Sequence, residues 1–130
     1  MNASGDSRSV VLCIDDEANA LELRKRVLQK TGYRVLTATN ADQALEVFRK
    51  NPVDVVLTEH IVGNTEASIL VAQMKALEPE VPVAIYSADG AVSIEDMRFA
   101  DLFITKLVSI DELLRTIEGL LFKVKSSEAA

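Results

Sequence analysis

Asp54-Val55-Val56-Leu57-Thr58-Glu59-His60-Ile61-Val62-Gly63-Asn64 is the stretch that decides the fold. A mainly apolar run, Val53 to Leu57, ends abruptly in a carboxylate, an imidazole and a turn. A run of about five apolar residues bounded by turn signals suits a strand buried on both faces. In an open parallel sheet, chemistry gathers beyond the carboxyl ends of such strands. Glu59 therefore stands where an active group would stand.

The same grammar recurs on either side. Upstream, Val10-Val11-Leu12-Cys13-Ile14 is a continuous apolar run ending in Asp15-Asp16-Glu17. Ala20, Leu23 and Val27 follow at helical spacing, with Leu21 and Leu28 beside them, and Thr31-Gly32 closes that helix. Tyr33 to Ala38 reads as a second strand. Asn40 with Gln43 three later resembles a capping box, ahead of a stripe of Ala41, Ala44, Leu45 and Phe48. Asn51-Pro52 breaks this helix. Downstream, a third helix is expected from Glu66 to Leu77, with Ile69, Leu70, Met74 and Leu77 inward, stopped before Pro79. Val81 to Tyr86 is the fourth strand, ending in Ser87-Ala88-Asp89-Gly90. Ser93 is expected to cap a short fourth helix over Ile94–Phe99. Leu102-Phe103-Ile104-Thr105 is the fifth strand, ending in Lys106. Ser109 with Glu112 makes a capping box for a last helix carrying Ile110, Leu113, Leu114, Ile117 and Leu121.

Strict alternation of strand and helix with short connections implies right-handed crossovers and a parallel sheet covered on both faces. At 130 residues the chain is expected to form one domain over 10–123, with a flexible lead-in at 1–9 and a flexible tail at 124–130. A net charge of -6 argues against a nucleic-acid surface, which needs a basic face. No apolar stretch approaches the roughly 18 residues of a membrane span, and Met1 to Ser9 lacks the apolar segment of a signal peptide. Cys13 is the only cysteine, so there is no disulfide framework and a reducing cytoplasm is the natural setting. Cys13 itself reads as a packed strand residue, and His60 as an exposed loop residue. Asn2-Ala3-Ser4 matches a glycosylation acceptor only by chance in that setting.

Polar groups follow four of the five strands: Asp15 and Asp16, Glu59, Ser87, and Lys106. Carboxylates suit Mg²⁺, while a hydroxyl and an ammonium suit an anionic oxygen. The four pieces Val11–Glu17, Asp54–His60, Val83–Ala88 and Asp101–Lys106, in that order, resemble the receiver domains of two-component response regulators. The resemblance covers about 110 of the 130 residues. It implies a flavodoxin-like (βα)5 doubly wound five-stranded sheet in the order 2-1-3-4-5. It implies that Asp15 and Asp16, with the group at position 59, hold Mg²⁺, that Ser87 and Lys106 meet a phosphoryl group, and that Phe103 reports the active state. It also implies a histidine kinase or a downstream effector as partner, and a homodimer face built from the fourth helix, fifth strand and fifth helix. Because the chain ends after the fifth helix, a stand-alone or excised receiver without an output domain is expected.

Three departures cluster. The family's phosphoacceptor is an Asp, and this chain has Glu59. The following turn usually reads Pro-Gly-x-x-Gly, and here it is Gly63-Asn64-Thr65-Glu66-Ala67. A proline in a cis bond usually follows the lysine, and here Leu107 does, so a rearranged loop is expected. Glu59 carries the same nucleophile on an arm longer by about 1.5 Å, and misplacement of about 1 Å costs on the order of 10²-fold. Glu59 is thus expected to be a poor phosphoacceptor in a binding module that is not an enzyme. Three fates remain open: a mimic of the phosphorylated state, a silent pair with Lys106, or residual phosphorylation. A Mg²⁺-dependent working receiver is the alternative. A small phosphatase or a flavin binder on the same fold is remote, since Asp15-Asp16-Glu17 is neither Asp-x-Asp nor a Ser/Thr/Gly-rich phosphate loop.

Overall fold

In a computed structural model of the protein, residues 7–88 and 98–129 are described. Five parallel strands form the sheet: β1 (Val10–Ile14), β2 (Arg34–Ala38), β3 (Val55–Thr58), β6 (Val83–Ser87) and β7 (Leu102–Thr105). Their order is β2-β1-β3-β6-β7, which is 2-1-3-4-5 when only the strands of this sheet are counted. A two-stranded antiparallel hairpin, β4 (Ile61–Val62) with β5 (Thr65–Glu66), interrupts the series after β3. The helices are α1 (Ala18–Lys30), α2 (Ala41–Lys50), α3 (Ala67–Leu77) and α4 (Ile110–Ala129). Arg98 and Phe99 are helical, whereas Ser93 and most of the expected short helix lie outside the described residues. The last helix continues to Ala129, through the stretch expected to be a tail.

β1 and β3 are buried at every position because they pair with each other in the middle of the sheet, Val11 opposite Val55 and Ile14 opposite Thr58. Their side chains alternate between two cores, as the two-residue period of a strand requires. Val11, Cys13, Val55 and Leu57 pack with Leu21, Leu28, Leu113 and Ile117 on the α1–α4 face. Leu12, Ile14 and Val56 pack with Phe48, Leu70 and Met74 on the α2–α3 face. Burial pushes the Cys13 thiol up to about 12, aided by the nearby Asp15 charge and opposed by Arg24. Cys13 is the inert packed residue its context implied.

Local signals fix the helix ends. After α1, the Gly32 N–H donates to Gln29 O and the Tyr33 N–H to Leu28 O, with Gly32 at φ +106°. This is the paired C-terminal motif in which glycine takes the left-handed position. Asn40 Oδ1 accepts from the Gln43 N–H at 2.8 Å, and Gln43 Oε1 reaches back to the Thr39 N–H at 2.7 Å. Ser109 Oγ accepts from the Glu112 N–H and caps α4.

Two helix faces differ from the sequence reading. On α1 the buried residues are Leu21 and Leu28, while Leu23 is 65% exposed. On α3 the buried stripe is Ala67, Leu70, Val71 and Met74, and Ile69 and Leu77 are about half exposed. In both helices apolar residues occupy two neighbouring stripes, and the sheet covers only one. Truncating a fully buried Leu costs about 2–5 kcal/mol and an exposed apolar side chain within about 0.5. Urea unfolding is therefore expected to place Leu70→Ala several kcal/mol below wild type and Ile69→Ala close to it.

Candidate functional site

Parallel strands bring their carboxyl ends to one edge, and the register sets the neighbours. Ile14 opposite Thr58 places Asp15 beside Glu59, and Ser87 opposite Thr105 places Lys106 one residue beyond. Backbone bonds extend the ladder past the strands: the Asp15 N–H donates to Ala38 O, the Glu59 N–H to Ile14 O, and the Lys106 N–H to Ser87 O. Asp15, Glu59 and Lys106, expected at one site from the sequence, meet there.

The Lys106 ammonium lies against Glu59 Oε2, an atom shielded from solvent, and 3.3 Å from Asp15 Oδ2. Partial burial would lower the lysine's proton affinity. The hydrogen bond and charge of Glu59, helped by Asp15, overcome that and hold Lys106 above its ordinary value of 10.5. Asp15 is buried. Its Oδ1 accepts from the Glu17 N–H at 2.9 Å, an Asx-type turn that leads into α1 in place of a side-chain cap from Glu17. Asp16 is exposed, and its Oδ2 accepts from the Gly63 N–H at 3.0 Å, tying the end of β1 to the hairpin turn. Gly63, at φ +63°, supplies the positive φ wanted at the first turn position of a two-residue hairpin.

Ser87 is buried at the end of β6. Phe103 on β7 is half-buried and meets His60 edge to face, with ring centroids 6.3 Å apart and planes at 76°. His60 is thus half-buried against an aromatic ring and is not the exposed loop residue expected. The turn after Lys106 is closed by the Leu107 N–H to Thr105 Oγ1 and the Val108 N–H to Thr105 O. Leu107 offers the first of these donors, which a proline could not.

Sequence reasoning missed Arg24. Its guanidinium reaches from α1 to Asp15 Oδ2, with the two terminal nitrogens at 3.4 and 3.3 Å, and lies 4.6 Å over the Tyr86 ring. A signal was present: Leu21, Arg24 and Leu28 fall at i, i+3 and i+7, so a cation sits in the stripe that faces the sheet.

Mg²⁺ demands near-ideal oxygen geometry and free carboxylate oxygens. Among the described residues no three acidic, histidine or cysteine side chains converge as a metal-holding group. Asp15 Oδ2 is taken by Arg24 and Lys106, Glu59 Oε2 by Lys106, and Asp16 Oδ2 by Gly63. As arranged, one oxygen on each of these three carboxylates is already engaged by a donor of the chain itself.

Residues 11–118 match the response regulator receiver domain family, and the chain belongs to that family. The transcriptional regulatory protein ZraR of Escherichia coli K12 is 29% identical over 122 residues, 92% of this chain and 28% of that protein. The chain therefore spans well under a third of this curated relative. A receiver domain protein (CheY-like) from Methanospirillum hungatei superposes with a TM-score of 0.85 at 25% identity, covering 93% of this chain and 99% of that one. Response regulator protein TrrA from Thermotoga maritima, solved in complex with Mg(2+)-BeF, superposes with a TM-score of 0.81 at 25% identity, covering 87% and 99%.

A folded-state lysine pKa above its unfolded value contributes stability that is complete below the unfolded value and is lost as pH rises through the folded one. Lys106→Met is expected to be less stable than wild type at pH 8. The gap should narrow once pH passes 10.5, measured by urea unfolding of both proteins across that range.

Proposed function

We propose that this chain is a receiver-type signalling module that works by protein contact without an ordinary aspartyl phosphorylation cycle. The observation that carries this reading is Glu59 at the phosphoacceptor position with its shielded oxygen on the Lys106 ammonium. Phosphoryl transfer needs a carboxylate oxygen free to attack in line and a cation free to meet the incoming group. Here the added methylene brings the nucleophile and that cation onto each other. Of the three fates open to Glu59, the silent pair has the most support, because the ion pair is already made.

Affinity for Mg²⁺ is expected to be weak in this reading, since its carboxylates are engaged by Lys106 and Arg24. A histidine kinase or a downstream effector is the partner class. The face of β7 and α4, with the short helix expected over Ile94–Phe99, is the surface proposed for a homodimer. A cytoplasmic setting suits a single buried thiol. Among the described residues no helix is long and apolar enough to cross a membrane.

Acetyl phosphate with Mg²⁺, followed by intact-mass measurement, tests the reading directly. Wild type is expected to gain no phosphoryl group, while Glu59→Asp gains one. A phosphoryl group mapped to Glu59 in the wild-type protein would overturn it.

A further inference from the structure

We infer that Arg24 is the resident counter-cation of the acidic site and excludes a divalent metal ion from it. Three carboxylates, Asp15, Asp16 and Glu59, gather at this edge of the sheet, and like charges at such range repel through the partly buried medium. Lys106 is shared between Glu59 and Asp15 and answers only one of the three charges. Arg24 supplies the second positive charge from within the chain.

Its placement is that of a built contact rather than a solvated one. The Arg24 side chain is 9% exposed and Asp15 2%. Both terminal guanidinium nitrogens address a single oxygen, Asp15 Oδ2. The Tyr86 ring lies under the charge, 4.6 Å from its central carbon, a cation–π contact that adds a second hold on the group. Arginine suits this position because its charge is delocalised, weakly hydrated and permanent, so it tolerates burial that lysine resists. A divalent ion using Asp15 would need the oxygen that Arg24 holds. It would also be pressed against two existing positive charges. With Arg24 present the cluster carries three negative and two positive charges. Without it the balance is three to one, the deficit that one divalent cation fills.

The inference concerns which cation the carboxylates accept, and it does not depend on whether Glu59 takes a phosphoryl group. Wild type, Arg24→Gln and Arg24→Lys would be titrated with MgCl₂ while the backbone amides of residues 15, 16 and 59 and the thermal midpoint are followed. Arg24→Gln is expected to bind Mg²⁺ on the order of tenfold to a hundredfold more tightly than wild type. Its melting temperature should be lowered without metal and restored by millimolar Mg²⁺, while that of wild type stays flat. Arg24→Lys, which keeps the charge and loses the two-nitrogen contact, should fall between. Equal affinity in wild type and Arg24→Gln, or a lowered melting temperature that Mg²⁺ does not restore, would overturn the inference. In the unsubstituted protein the Arg24 Nε–H resonance gives a second reading. Mg²⁺ that shifts residues 15, 16 and 59 while leaving that resonance unmoved would overturn it equally, and saturation only with loss of the ordered Arg24 signal, or no binding, supports it.

Discussion

The interaction on which the rest of the site depends is the Lys106 ammonium set between Glu59 and Asp15. Parallel pairing of β1, β3 and β6 drives three strand ends to one edge, and carboxylates stand at two of them. Such an edge is stable only if positive charge is brought to it, because burying an unpaired charge is far more costly than burying a paired one. Lys106 comes from the next strand in the sheet and Arg24 from the helix above. The ion pairs are therefore a condition of this strand order as much as a feature of the site.

The strands of the sheet and their polar ends were legible because both rest on short-range patterns. Runs such as Val10–Ile14 and Val55–Leu57 have one plausible burial, and the residue after each run has one place to go. The faces of α1 and α3 were harder to read. Leu21 and Leu28 compete with Leu23 and Val27 for the sheet, and periodicity alone leaves the phase of the helix open when two adjacent stripes are apolar. That ambiguity concealed Arg24, since a cation on the presumed outer face looks like an ordinary solvated charge. The half-buried position of His60 escaped notice for a related reason: its partner, Phe103, lies forty-three residues away on the last strand of the sheet.

The hairpin β4–β5 was equally unmarked by apolar alternation, being two residues on each side. Its support is polar and long-range. Asp16 anchors Gly63 from the end of β1, and the Ala67 N–H donates to His60 O at 2.8 Å, fixing the start of α3 to the end of the β3 segment. An exposed carboxylate, a turn glycine and the first residue of a helix thus form one connected strip beside Glu59. The opposite edge of the sheet uses acids differently. There Asp54 and Asp101 accept the leading N–H groups of Val10 and Val83, so those carboxylates finish strands and carry no site.

Cys13 lies at the centre of all this, fully buried on β1 two residues before Asp15. Its thiol is held far from ionisation, and oxidants and alkylating agents act on the thiolate. Such reagents can reach it only in those moments when β1 is laid open. For this thiol, chemical ageing and conformational opening therefore run on the same clock.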